Sequence, residues 1–226
     1  MIEPRNVFLT GGTGYIGRTL ATELFRRGHV VRSLVRQGSE SRLPAGSAPI
    51  GGDALDRRTY ATRVAPSDTF VHLVGVSHPG PTKADRFLTV DLTSAREAIA
   101  SAQAAGVRHF VYVSVAHPAP VMHAYVAARR EAETLIRVSG MNATILRPWY
   151  VLGPGHNWPM LLLPFYWLAE LVPATRPDAR RLGLVTLGQL IRAMVRVIEN
   201  PASGMRILEV PDIRNGEALR PPRASP

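Results

Sequence analysis

One stretch near the start of the chain, Thr10-Gly11-Gly12-Thr13-Gly14-Tyr15-Ile16-Gly17, constrains the fold more than any other. It follows Val7-Phe8-Leu9-Thr10, a short apolar run expected to be a buried strand. It opens a helix expected from Arg18 to Arg27, which stops at Gly28. A turn from strand into helix gives each glycine a task. The first permits a positive φ, the next lets the backbone approach a pyrophosphate without a Cβ in the way, and the last lets helix and strand pack closely. The helix N-terminus then presents N–H groups and a partial positive charge to an anion. Glycines alone serve any tight turn, but here they stand in the order strand, loop, helix, strand, which is that of a dinucleotide site. No Gly-Lys-Ser/Thr follows, so a Walker phosphate loop does not fit. The cofactor phosphates are therefore expected on Gly11, Gly12, Thr13, Gly14, Tyr15, Ile16 and Gly17.

The rest of the chain alternates strand and helix. Strands are expected at His29 to Val35, Thr69 to Val76, Val107 to Val115, Ala143 to Leu146 and Met205 to Val210. Helices are expected at Asp91 to Ala105, Ala124 to Val138 and Leu187 to Ile198. Gln37 to Gly52, rich in Ser, Gly and Pro, is expected to be a loop. Strands separated by helices with short connections imply a mostly parallel sheet covered on both faces. With right-handed crossovers this is an α/β, Rossmann-like, doubly wound fold, whose crevice lies at the carboxyl ends of the strands. We expect one domain over residues 1–215, with a small substrate cap at about 153–185 and a disordered tail at 216–226.

The second strand ends Arg32-Ser33-Leu34-Val35-Arg36, with no acidic residue to take an adenosine ribose 2′-hydroxyl. Arg36 suits a 2′-phosphate instead, which favours NADP over NAD. The competing reading is a solvent-facing arginine in a chain whose basic residues are all Arg except Lys83. The net charge is +10. The basic residues occur at most in pairs, with no nucleic-acid recognition motif, so no specific nucleic-acid partner is expected. There is no cysteine, which excludes disulfides and thiolate metal sites. Seven histidines form no ligand-spaced pair, and no metal site is expected. The chain begins without a charged-then-apolar leader, and its longest apolar stretch, Trp158 to Pro173, is broken by Pro159, Pro164 and Glu170. A soluble, cytoplasmic protein is the expectation.

Taken together, several segments resemble the atypical and extended short-chain dehydrogenases, in particular NmrA-like and epimerase-like members. They are the glycine loop, Leu34-Val35-Arg36, Gly52-Asp53-Ala54-Leu55-Asp56, Leu73-Val74-Gly75, Phe110-Val111-Tyr112-Val113-Ser114, Tyr125 opening a helix, and Ile145-Leu146-Arg147-Pro148. The resemblance covers nearly all of Asn6 to Ile213. It implies that Asp53 sits by the adenine, with Ala54 also at the cofactor, that the backbone around Leu73, Val74 and Gly75 lines the adenosine ribose and pyrophosphate path, and that Pro148 to Val151 flank the nicotinamide. It also implies that Ser114 and Tyr125 match the family's catalytic Ser and Tyr. Chemically, a serine at a strand end can polarise a carbonyl, and a tyrosine can protonate the alkoxide formed as hydride arrives.

The chain departs from the family pattern Tyr-x-x-x-Lys, having Tyr125-Val-Ala-Ala-Arg129. The spacing keeps both side chains on one helix face. Arginine retains the charge and can bond ribose hydroxyls, but its planar guanidinium is not a proton relay. Two readings of Tyr125 stand open: an acid/base, or an aromatic packing at a helix start. His117 and His123 flank this segment and either reach a substrate or bond within loops. Trp158 to Leu171 is a cap over the crevice, plain core, or, as a minority reading, a membrane-surface helix. The leading expectation is an NADP-dependent oxidoreductase or epimerase-like enzyme acting on a small carbonyl or hydroxyl substrate. The alternative is a cofactor-binding sensor or assembly protein without turnover.

Overall fold

The computed structural model describes residues 3–76, 84–119, 121–154 and 181–216. The strands are β1 (Asn6–Thr10), β2 (Val30–Val35), β3 (Ser47–Gly51), β4 (Thr69–His72), β5 (His109–Val113), β6 (Ala143–Leu146), β7 (Tyr150–Leu152), β8 (Leu184–Thr186) and β9 (Met205–Leu208). The helices are α1 (Tyr15–Arg26), α2 (Ala84–Arg86), α3 (Thr93–Ala104), α4 (His123–Val138), α5 (Leu187–Glu199) and α6 (Val210–Asn215). A π-helical turn, Phe87–Leu92, joins α2 to α3. Seven strands form one sheet in the order β3-β2-β1-β4-β5-β6-β9, and β7 pairs with β8 apart from it. Every pairing in the large sheet is parallel. The chain reverses direction of travel across the sheet between β1 and β4, so the crevice beyond their carboxyl ends is the switch point where such folds bind ligands.

The alternation of side chains along each strand divides the core in two. Val7, Leu9, Val71 and Val111 face α1 and α5, where they meet Leu20, Leu24, Ile191 and Met194. Phe8, Phe70 and Phe110 face α3 and α4, where they meet Ala95, Ala98 and Ile136. The three phenylalanines are register partners, with ring centroids 5.1 and 5.4 Å apart. Two residues further along the same face, the row becomes Thr10, His72 and Tyr112. The sheet is thus aromatic in its middle and polar beneath the crevice. The small residues of α3 let that helix lie close to the sheet, and α5 is fixed at its start by Thr186, which accepts the Gln189 amide at 3.2 Å in a capping box.

The doubly wound parallel sheet agrees with the expectation, and the differences are an added strand and shifted element ends. Ser47–Gly51 lies in the segment expected to be a loop and forms the edge strand β3, pairing with β2 through Val31↔Ser47 to Val35↔Gly51. Its Pro49 donates no hydrogen bond, which an edge position tolerates. The expected strand Thr69 to Val76 ends at His72, where the chain leaves the sheet to run beneath the glycine loop. The expected strand end at Val210 instead opens α6, with Pro211 in its first turn. Among the described residues, no helix is long and apolar enough to cross a membrane. Most of the expected cap, including Trp158 to Leu171, and the tail from 217 lie outside the described residues.

His72 is fully buried, with its ring nitrogens 2.8 Å from Thr10 Oγ1 and 3.3 Å from Ser94 Oγ. Burial, helped by the charge of Arg129, drives its pKa from 6.5 down to about 3. His109 is likewise buried against Thr144 and driven down to about 4, by burial first and then by Arg206 and Arg5. Both rings are neutral when folded and take a proton when unfolded below pH 6.5. The stability they carry is present above that pH and is lost on acidification towards pH 4 and 3. Urea unfolding as a function of pH should show stability falling below pH 6.5, each ring contributing about 1.4 kcal/mol per pH unit. The His72→Asn variant should show a shallower dependence, and an unchanged slope would contradict this account.

Candidate functional site

The glycine loop is built by close backbone approach. Gly11 has φ +78°, and a Cβ there would stand 2.9 Å from the Leu73 carbonyl carbon. A Cβ on Gly17 would collide with the Gly11 carbonyl oxygen. The Gly14 amide donates to Gly11 at 3.0 Å and closes the turn. Gly14 caps α1 without a side chain, and no acidic residue lies in the first turn. The helix start is therefore left for an anion. Tyr15 packs beneath Gly153, where a Cβ would strike its hydroxyl, and Ile16 packs on the α1–α5 core.

A cavity of about 860 Å³ opens at the loop, lined by Gly11, Thr13, Arg36, Asp53, Ala54, Val74 and Gly75, with Arg42, Arg86 and Val90. Its size is that of a small-molecule site. Arg36, Arg42 and Arg86 are exposed on its rim. None of them has an ion-pair partner among the described residues. Arg36 and Arg42 lie at the β2 end. The residues fit a dinucleotide: glycines where a Cβ would block the backbone path, an open helix start, and cations at one end of the cavity.

Behind the cavity floor lies a buried ion pair. Arg129 Nη2 donates to Asp91 Oδ1 at 2.7 Å. Its Nη1 donates to the Val113 carbonyl at 2.9 Å and to the Tyr112 hydroxyl at 3.2 Å. The guanidinium also lies 5.2 Å from the centroid of the Tyr125 ring. Burial opposes the Arg129 charge, but Tyr112, Tyr125 and Asp91 outweigh it and hold its pKa above the ordinary arginine value. Burial raises the Tyr112 pKa to about 12. It also raises that of Asp91, against the pull of Arg129 and the Val76 amide. Gly75 is required here, since a Cβ would collide with Arg129 Nη2.

Ser114 belongs to a second buried cluster. Its hydroxyl donates to Glu133 Oε1 at 2.5 Å. Arg147 grips the same carboxylate through Nε at 3.0 Å and through Nη2, and reaches Glu209 with Nη1 at 2.8 Å. His117 Nε2 is 3.4 Å from both Glu133 oxygens. Burial works against ionisation of Glu133, but the Arg147 and Ser114 hydrogen bonds hold its pKa below the ordinary range. Burial, with the charge of Arg147, lowers that of His117. Tyr125, Arg129 and Glu133 thus lie one turn apart on a single face of α4, and Ser114 joins that face through Glu133. Pro148 is buried, and its carbonyl accepts the Ala116 amide at 2.9 Å.

The sequence profile described as NAD(P)H-binding matches residues 11–156, from the glycine loop past the Ser114–Arg129 segment. This chain belongs to the NAD(P)H-binding family. Over 215 residues it is 26% identical to the ceramide reductase of Caulobacter vibrioides, covering 92% of this chain and 65% of that protein. Over 168 residues it is 28% identical to the 4-hydroxy-2-methyl-3-oxo-4-farnesyl-3,4-dihydroquinoline-1-oxide ketoreductase of Stigmatella aurantiaca, covering 65% of this chain and 50% of that one. The chain thus spans one half to two thirds of these two relatives. In fold it is similar to the Bordetella bronchiseptica enzyme WbmH in complex with NAD+, with a TM-score of 0.69 and 20% identity, over 99% of this chain and 85% of that one. It is also similar in fold to the UDP-glucuronic acid 4-epimerase of Bacillus cereus in complex with NAD, with a TM-score of 0.66 and 16% identity, over 90% and 77% of the two chains. This family of NAD(P)H-binding proteins includes named reductases and epimerases among its relatives.

Four residues of the site were not singled out by motif, Arg42, Arg86, Asp91 and Glu133, and Arg147 stood in a quoted motif without a role of its own. Glu133 alone carries a sequence signal, its spacing of eight residues from Tyr125, which repeats the helical face. Replacing Glu133 by Ala leaves the half-buried Arg147 with Glu209 alone. Urea unfolding should show a loss of about 3–5 kcal/mol, the cost of breaking a buried pair from one side. Ser114→Ala removes one hydrogen bond and should cost about 1–2 kcal/mol. Equal losses would contradict the assignment of Glu133 as the centre of the cluster.

Proposed function

We propose that this chain is an NADPH-dependent oxidoreductase of the short-chain dehydrogenase type, exchanging hydride with a small substrate that carries a carbonyl or hydroxyl group. The observation that carries the reading is the cavity over Gly11 and Gly75, lined also by Arg36 and Arg42, two guanidinium groups without an ion-pair partner among the described residues. A 2′-phosphate matches two cations there better than a ribose hydroxyl does. Residues 1–215 act as one unit in this reading, and the setting is cytoplasmic.

When bound, the cofactor supplies or accepts the hydride. Gly11 to Gly17 hold its pyrophosphate, Asp53 and Ala54 flank the adenine, Leu73 to Gly75 line the ribose path, and Pro148 lies towards the nicotinamide. Tyr125 gives a proton to the substrate oxygen. Ser114 polarises that oxygen, for which its proton must turn from Glu133 to the substrate. Arg129 holds positive charge against the face of the Tyr125 ring. The names of the reductase relatives support carbonyl reduction, and the fold alone does not choose a substrate.

A second reading, a cofactor-binding protein without turnover, is favoured by one observation. The Arg129 guanidinium is committed to Asp91, Tyr112 and Val113, and so is not free to serve the ribose. NADPH oxidation against a panel of ketones and aldehydes separates the two. Turnover that falls at least about a hundredfold in Tyr125→Phe supports the enzyme. Turnover untouched by that change removes Tyr125 from the mechanism, and tight binding without turnover favours the second reading. The Arg36→Ala/Arg42→Ala variant should lose at least about tenfold in NADPH affinity, equivalent to about 1.4 kcal/mol, while NADH affinity holds. A parallel loss for both would contradict the 2′-phosphate assignment.

A further inference from the structure

The π-helical turn Phe87–Leu92 sends three side chains to three parts of the site. Phe87 packs against Tyr125, with ring centroids 5.1 Å apart. Val90 lines the dinucleotide cavity. Asp91, one residue on and 1% exposed, meets Arg129. Its second oxygen accepts the Val76 amide at 3.0 Å, just after the cavity residues Val74 and Gly75. Turns of this kind widen a helix by one residue and recur at functional sites. Here the extra residue lets one short segment touch the cavity, the tyrosine and the arginine together.

We propose that Asp91 is a positioning residue of the dinucleotide site, holding Arg129 against Gly75 and the Val76 amide in the place that lets the cavity floor accept the cofactor. The proposal rests on the NADPH reading. Its geometry is a closed circuit. Arg129 is anchored to β5 through the Val113 carbonyl, Asp91 is anchored to the turn, and the β4 exit is tied to Asp91 through Val76. Gly75 has no side chain and lies directly on the guanidinium. If the carboxylate is lost, Arg129 has no ionic partner beneath the floor, and the Val76 amide loses its acceptor. Asparagine does not restore the arrangement, because its single carbonyl oxygen can accept from Arg129 or from Val76 but its amide group faces the other donor.

The experiment begins with NADPH titration of the wild-type protein. If the wild type does not bind, it is the cofactor reading that fails, and the role of Asp91 in it falls with it. With binding in hand, Asp91→Asn is titrated beside Asp91→Leu/Arg129→Met, which replaces the pair by apolar side chains. Such exchanges of a buried ion pair are often neutral or stabilising. The expected result is a melting temperature restored in the double variant while both variants bind NADPH at least tenfold more weakly than the wild type. Wild-type affinity in either folded variant would overturn the proposal and leave the pair a support of the fold only. Should neither variant fold, hydrogen exchange in the wild type decides. The Val76 amide should exchange at least tenfold more slowly with NADPH bound, and an unchanged rate would overturn the proposal.

Discussion

The close crossing of Gly11 over the end of β4 sets the rest of the structure. A Cβ on Gly11 would stand 2.9 Å from the Leu73 carbonyl carbon, so only glycine lets the two backbones meet there. The crossing turns the chain directly from β1 into α1, and Gly17 then lets the helix lie against the turn. The start of α1 is thereby aimed over the switch point between β1 and β4. The cavity, its glycine path and its rim of arginines all follow from that placement.

Beneath the crevice the protein needs polar groups but must keep them dry, and it does so in closed circuits. Thr10, His72 and Ser94 are joined by hydrogen bonds, and Asp91, Arg129 and Tyr112 form the adjoining ion-pair network. Ser114, Glu133, Arg147 and Glu209 form the second circuit, at the ends of β5, β6 and β9. Each charge has a partner, as burial demands. The two circuits meet on one face of α4, through Arg129 and Glu133. Residues suited to chemistry, Ser114 and Tyr125, are consequently wired into the scaffold. Ser114 already spends its one proton on Glu133, and Tyr125 leans on both Phe87 and Arg129.

The parallel sheet was legible because apolar runs, glycine stops and the glycine loop all pointed the same way. Ala143–Leu146 appears with its expected bounds, since β-branched and apolar residues lie between a helix-ending glycine and Arg147-Pro148. Ser47–Gly51 was hidden by its composition, because a proline and small residues look like a loop and become a strand only when β2 offers an edge. The π turn was hidden for another reason: the expected helix begins only at Asp91, and only tertiary contact reveals the extra residue. The cavity-lining positions Gly11, Thr13, Arg36, Asp53, Ala54, Val74 and Gly75 were legible from motif and strand end. The partners of Arg129 and Ser114 were not, because an ion pair between residues 38 apart and a hydrogen bond between residues 19 apart leave no mark in local sequence.

The most direct test of the central claim is calorimetric titration of the wild-type chain with NADPH and with NADH. The account predicts one site per chain, with NADPH bound more tightly than NADH. Absence of binding to either nucleotide would contradict it.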